Sequence, residues 1–238
     1  MIPSQTAKAV TTNRVLPRKP TMKNRLILVA GNIGAGKTSL TELIGSRLGW
    51  QTGYESVADN PYLPDFYGDM QRWSFHLQVF FLGHRAQQHH DLYDNPQSAI
   101  SDRSIYEDAY IFARALAHMN NLNERDYHAY KQVFDIIVQG LPTPNLLLYL
   151  KCPVPVLMDR IHQRGREMES GISADYLQLL ESFYEEWLSN FDLCPVLTIP
   201  TDDLNFVQKP KHLDIVVEKI QEKLAGKEDV VFPPNGGE

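Results

Sequence analysis

Leu26 to Ala30 is an unbroken apolar run that stops at a glycine. A run that short, bounded by a turn signal, reads as a strand buried on both faces. The pattern returns at Ala99–Ser101, Asn145–Leu150 and Val196–Ile199, and Trp50–Tyr54 reads as a short strand ending at Glu55. Between these runs apolar residues recur at helical spacing. Thr38–Leu48 is a helix stopped by Gly49. Arg72–His90 is a long helix with apolar positions at Trp73, Leu77, Phe80 and Phe81. A helix runs from Ser104 to about Met119, with Ser104 as its N-cap and Glu107 completing a capping box. Further helices are expected over Asn123–Gln139, Val154–Gln163, Ala174–Ser189 and His212–Leu224, the third with Leu177, Leu180, Tyr184 and Trp187 on one side. Asn60-Pro61 and Asn95-Pro96 mark breaks, and Pro64–Asp69 a short connector. Strands alternating with helices predict an α/β fold with a parallel sheet covered on both faces, and ligands at the carboxyl ends of its strands.

Composition narrows the class. The 238 residues are 43% hydrophobic, enough for one large domain with a buried core. No apolar run approaches the roughly 20 residues needed to span a bilayer, so no membrane partner is expected. Cys152 and Cys194 form neither a disulfide framework nor a zinc pattern, which points to a reducing, cytoplasmic setting. Residues 1–24 form a basic arm without apolar periodicity, interrupted by Pro3, Pro17 and Pro20, and are expected to be disordered. Its acid-free composition is similar to that of an organelle transit peptide, but the prolines and weak amphipathicity count against that reading. Met1 to Arg25 holds six basic residues and no acid, so the other 213 residues carry 17 basic and 29 acidic side chains. An acidic body argues against nucleic-acid binding and sends the search for basic residues to wherever phosphate sits. The last stretch, residues 226–238, reads as a flexible tail.

The strongest local signal is Gly31-Asn-Ile-Gly-Ala-Gly-Lys-Thr38, which fits the G-x-x-x-x-G-K-[ST] phosphate loop. Its glycines let backbone N–H groups converge on phosphate oxygens, and the start of the next helix adds positive potential. Lys37 is the point charge for the β- and γ-phosphates, and Thr38 offers a hydroxyl to Mg²⁺. Glu55 lies 18 residues after Lys37, at the tip of the second strand, where a carboxylate can accept a hydroxyl proton and aim its oxygen. Asp102 follows a strand directly and suits Mg²⁺ or its water, while Arg103 offers a planar fork to phosphate. Arg160, Arg164 and Arg166 concentrate positive charge in an acidic chain and read as a lid over the transferring phosphate. Tyr67, Trp73, Phe75, Gln78, Phe80, Phe81, Arg85, Asp108 and Phe112 offer aromatic walls with hydrogen-bonding groups, as a flat heterocycle requires. Phe80 and Phe81 are expected to serve the core, whereas the Gln78 amide, donor and acceptor together, suits a base edge.

These residues together resemble the deoxyribonucleoside kinase family, on the P-loop nucleotide-kinase fold with a parallel five-stranded sheet and an arginine-rich lid. The match rests on the phosphate loop, Glu55 and its following turn, Tyr67, Trp73 to Gln78, Asp102-Arg103-Ser104, the arginine segment ending at Glu169, and Thr201-Asp202-Asp203-Leu204-Asn205. Phe75-His76-Leu77-Gln78 and Phe81-Leu82 look most like the bacterial deoxyadenosine/deoxyguanosine kinase branch. The resemblance implies a kinase domain over residues 25–225 that uses ATP and Mg²⁺ to phosphorylate the 5′-hydroxyl of a deoxynucleoside, a purine first, in nucleotide salvage. A deoxycytidine-preferring or broad-specificity kinase, or a nucleoside monophosphate kinase, is the alternative. It implies Glu55 as base, with Arg103 and Lys37 holding the reacting oxygens. Tyr67 and Glu169 take the sugar 3′-hydroxyl, while Gln78, Phe81, Arg85, Asp108 and Phe112 surround the base. Gly31, Asn32, Ile33, Gly34, Ala35, Gly36, Lys37, Thr38 and Ser39 cradle the phosphates, with Arg160, Arg164 and Arg166. Asp202, Asp203 and Leu204 lie by the adenine, and Thr38 and Asp102 serve the metal. A homodimer through long helices such as Arg72–His90 is the family expectation. A carboxylate at Glu55 would repel a monophosphate acceptor, and no Asn-Lys-x-Asp motif supports a GTPase switch.

Overall fold

The computed structural model describes residues 25–54, 60–166, 169 and 171–233. The basic arm, Glu55 and its following turn, Glu167, Met168 and Ser170 of the arginine segment, and residues 234–238 of the tail lie outside the described residues.

Among the described residues five parallel strands form one sheet: β1 Leu26–Gly31, β2 Gln51–Gly53, β3 Ala99–Asp102, β4 Leu146–Lys151 and β5 Val196–Pro200, in the order β2-β3-β1-β4-β5. Because successive side chains point to opposite faces, β1 divides its residues between two cores. Ile27 and Val29 join one cluster with Leu40, Ile44, Leu157 and Val216; Leu26, Leu28 and Ala30 join another with Tyr130, Leu180 and Tyr184. This double burial explains the unbroken apolar runs. Helices α1 Lys37–Leu48, α7 Val154–Arg164 and α9 Pro210–Leu224 cover the first face. The second is covered by α3 Met70–Asp94, α6 Glu124–Gly140 and α8 Ala174–Ser189, with the helical rod over residues 105–118.

Several boundaries differ from the sequence expectation, each for a physical reason. Pro64–Asp69 is not a connector: Leu63–Gly68 forms the short helix α2, whose early proline costs nothing because first-turn N–H groups lack intrahelical partners. The long helix starts at Met70, since the Asp69 carboxylate accepts from Arg72 N at 3.1 Å, and runs on to Asp94. The second strand is only three residues long. The α3 residues that are buried are not the expected set: Phe80 and Phe81 are half-buried, while Ser74, Leu77, Gln78, Leu82, Arg85, His89 and Leu92 face inward. After β3 comes α4 Ile105–Glu107, then a π-helical turn, Asp108–Ala113, then α5 Arg114–His118. Ser104 Oγ caps this rod, accepting from Glu107 N at 3.2 Å. The reciprocal half of the capping box does not form, because the Glu107 carboxylate is engaged elsewhere.

Candidate active site

The phosphate loop leaves β1 at Gly31 and enters α1 at Lys37. Gly36, the N-cap, has φ +98, and the Phe206 ring lies 3.4 Å from where a Cβ would stand. Gly31 has φ +150, and there a Cβ would meet the Leu150 carbonyl at 2.8 Å. Both positions therefore demand glycine. Asn32 is pinned to α8, its amide donating to Leu177 O at 2.9 Å and Glu181 Oε2 at 3.3 Å. The Lys37 ammonium is buried and donates to Gly31 O at 2.6 Å and Asn32 O at 2.9 Å. Ile33, Gly34 and Ser39 are half-buried around this turn, and Ala35 is in the core.

Parallel register brings the next residues to the same edge. Val29 pairs with Asp102 across β1 and β3, so the end of β3 meets the start of α1. Thr38 Oγ1 donates to Asp102 Oδ2 at 2.5 Å, while Asp102 Oδ1 is buried without a partner among the described residues. A hydroxyl and a carboxylate side by side, one oxygen unsatisfied, fit a hard cation that keeps most of its ligands as water or phosphate. No group of three or more His, Cys, Asp or Glu residues forms a metal cage among the described residues, as such a cation would not require.

Arg103 has φ +70, a strained conformation for a residue with a Cβ. Its N–H still extends the ladder to Val29 O at 3.0 Å while the chain turns into α4. Its guanidinium lies 4.4 Å from the Phe112 ring centroid and donates to Glu107 Oε1 at 3.3 Å.

A buried polar strip on α3 faces the π-helical turn. Gln78 is 4% exposed, with Oε1 unpartnered among the described residues. Two turns on, Arg85 Nε donates to Asp108 Oδ2 at 3.1 Å and Arg85 Nη1 to the Asp102 carbonyl at 3.0 Å. Phe75, Phe81 and Trp73 flank the strip, half-buried against Phe66 and Leu77. Gln88 Nε2 donates to Tyr54 O at 2.7 Å, tying α3 to the chain just before Glu55.

The arginine segment is split between two partners. Arg160 donates to Thr201 O at 2.5 Å and Thr201 Oγ1 at 3.3 Å, joining α7 to the loop that carries Asp202 and Asp203, both exposed. Arg164 makes a forked pair with Glu169, at 2.6 and 3.0 Å, and Arg166 approaches the same carboxylate at 3.6 Å. Glu169, expected at the sugar, thus holds the two arginines here. Leu204 is 1% exposed and packs in the core beside Phe206. The hydrophobic effect took it from the loop.

Two residues were overlooked from the sequence. Tyr176, in the first turn of α8, feels both Arg103 and the half-exposed Tyr67; burial pushes its phenol up to about 12 against the pull of Arg103. Glu107 is fully buried, with Oε1 accepting from Gly31 N at 3.2 Å, from Arg103 and from the Tyr184 hydroxyl. Its signal was available: an acid at i+4 from Arg103 inside the apolar stretch Ile105–Phe112.

Comparison with known proteins gives one answer at every level. A deoxynucleoside kinase family model matches residues 27–225. A deoxyadenosine/deoxycytidine kinase of Bacillus subtilis (strain 168) is 39% identical over 200 residues, covering 83% of this chain and 92% of the relative. A deoxyguanosine kinase of the same organism is 34% identical over 204 residues, covering 82% and 96%. The structure of deoxyadenosine kinase from M. mycoides with bound dATP superposes with a TM-score of 0.71 at 26% identity, covering 82% of this chain and 99% of that one.

Proposed function

The chain belongs to the deoxynucleoside kinase family, and from that premise we propose that it transfers the γ-phosphoryl group of ATP to the 5′-hydroxyl of a deoxyribonucleoside. Deoxyadenosine or deoxyguanosine, or both, is the preferred acceptor, in nucleotide salvage. We assign the activity to residues 25–225. One observation carries the reading. Arg85 joins the two halves of the site, gripping Asp108 in the polar strip and the carbonyl of Asp102, whose carboxylate meets Thr38 of the phosphate loop. The acceptor's base and the donor's phosphates are thereby referred to a single residue.

The strip suits a purine. Gln78 Oε1, without a partner among the described residues, can accept from an exocyclic amine, and its amide N–H₂ can donate to a ring nitrogen. The Arg85–Asp108 pair limits the depth of the pocket, and Phe81 and Phe112 provide flat apolar surface. Tyr67 and Glu169 take the 3′-hydroxyl. Glu55, two residues beyond β2, accepts the 5′-hydroxyl proton. Lys37 and the loop N–H groups hold the transferring phosphate, Arg103 spans donor and acceptor oxygens, and Arg160, Arg164 and Arg166 neutralise charge from the far side. Asp202 and Asp203 border the adenine of ATP. Thr38 and Asp102 would hold Mg²⁺, which supplies charge neutralisation at the phosphates. The free thiols Cys152 and Cys194 suit a cytoplasmic setting, and among the described residues no helix is long and apolar enough to cross a membrane. We propose a homodimer as the working form.

A second reading, acceptance of deoxycytidine, is favoured by the name of the Bacillus subtilis relative. Steady-state assays of the four deoxynucleosides with ATP and Mg²⁺ distinguish the two. Turnover highest with deoxyadenosine or deoxyguanosine is expected; preference for deoxycytidine selects the second reading, and no turnover with any removes both. Glu55→Ala is expected to lower kcat by about 10²-fold or more with ATP affinity kept; unchanged kcat removes Glu55 from the role of base.

A further inference from the structure

Glu107 has no part in the reading above, yet it occupies the junction of that site. Its carboxylate is fully buried, and a buried carboxylate without donors is too costly to persist. Three donors converge on Oε1: the Gly31 N–H that begins the phosphate loop, the Arg103 guanidinium and the Tyr184 hydroxyl. The Tyr184 hydroxyl also lies 2.8 Å from Gly31 O, the carbonyl that accepts from Lys37 at 2.6 Å. Tyr184 has one proton for these two acceptors, so the unbroken link runs through residue Gly31 itself: its carbonyl accepts from Lys37, its N–H donates to Glu107 Oε1, and that oxygen accepts from Arg103. The first end serves the donor's phosphates and the last the reacting oxygens. A long arginine on a backbone at φ +70 has many rotamers to lose, and among the described residues the Phe112 face and the Glu107 carboxylate help to restrain it.

We propose that Glu107 is a positioning residue for phosphoryl transfer, fixing the Arg103 guanidinium relative to the first peptide of the phosphate loop. Donor cradle and acceptor-side arginine then keep one spacing before substrates arrive, which is what in-line transfer requires. A residue that only stabilised the fold would change the amount of active enzyme and not its turnover.

The inference rests on the kinase reading, and a double-mutant cycle separates the two. Glu107→Gln keeps an oxygen for Gly31 N–H and Tyr184 but removes the charge that holds Arg103. The expected result is a kcat about tenfold lower with KM for ATP and deoxynucleoside within about twofold, a loss that shrinks below about twofold in an Arg103→Lys background. Wild-type kcat in Glu107→Gln, or an equal loss in both backgrounds, overturns the proposal and leaves Glu107 a support of the fold alone. If Glu107→Gln does not fold, Tyr184→Phe runs the same cycle. There a drop in kcat of about threefold that vanishes beside Arg103→Lys is expected, and an undiminished kcat overturns the proposal. Wild-type protein that phosphorylates no deoxynucleoside removes the kinase reading and this one with it; active wild type with equally active Glu107→Gln removes only this one.

Discussion

A buried amide whose oxygen meets nothing is unusual, because a desolvated polar group left unpaired costs about 1–3 kcal/mol. Among the described residues Gln78 is such a residue, at 4% exposure within α3. If its partner is the base of the acceptor, stability and catalysis should respond in opposite directions. Gln78→Leu, close in shape, removes the unsatisfied oxygen and should leave Tm equal or higher. It should also lower kcat/KM for a purine deoxynucleoside by about 10–100-fold, the kinetic equivalent of that same pairing energy. A lower Tm with unchanged kcat/KM would make Gln78 a packing residue instead. Asp102 follows the same logic: among the described residues its second oxygen has no partner while its first accepts from Thr38, a pattern that suits a bound ligand better than the core.

Helix α3 shows what an element can do when its inner face is polar. Along its 25 residues Ser74, Gln78, Arg85 and His89 turn inward together with Leu77, Leu82 and Leu92. Toward its far end the ring nitrogen of His89 meets the Pro142 carbonyl at 2.7 Å, so the neutral ring donates. Burial is the largest influence on His89 and lowers its pKa from 6.5; the Pro142 carbonyl opposes this, and the charge of His90 adds to it. Below pH 6.5 the unfolded chain therefore takes up a proton at this site that the folded chain refuses. The stabilisation is whole above pH 6.5 and is lost as pH falls from there through the lowered folded value. Tm of the wild type should accordingly drop more steeply on acidification below pH 6.5 than Tm of His89→Gln, measured by scanning calorimetry. Parallel Tm profiles would show that His89 does not carry this dependence.

At the scale of the molecule, α3 and α6 pack together, and both leave apolar residues facing outward: Val79 at 41% exposure, Val133 at 47% and Ile136 at 72%. Gly83, one turn beyond Val79, has nothing near the position of a Cβ. A glycine inside an exposed helix costs about 1 kcal/mol relative to alanine, which close approach of a second helix would repay. These features support the proposed homodimer through this face. Sedimentation equilibrium should give a dimer for the wild type and a monomer for Val133→Glu/Ile136→Glu, with the fold retained by circular dichroism. A wild type that sediments as a monomer at micromolar concentration would end the proposal.

Much of this was legible in the chain itself. The apolar runs Leu26–Ala30 and Asn145–Leu150 announced doubly buried strands because apolar continuity records burial directly. Gly31 to Thr38 announced its turn because each glycine answers a local backbone need, and Ala174–Ser189 was readable because its inward face is apolar. Periodicity alone could not reveal the inner face of α3: the chemistry of Gln78 and Arg85 marks them as pocket candidates, but His89 looks like a surface residue until something polar meets it. Nor could periodicity tell that Leu204 belongs to the core; Glu107 shows in the sequence as an acid one turn after Arg103, and its place at a buried junction emerges only when the layers pack. Those outcomes depend on contacts between residues 76 apart, such as Glu107 with Gly31, or 64 apart, such as Thr38 with Asp102. Local energetics set the elements. Strand register and the rotation of each helix about its axis, decided only when the layers pack, determined which carboxylate met which donor.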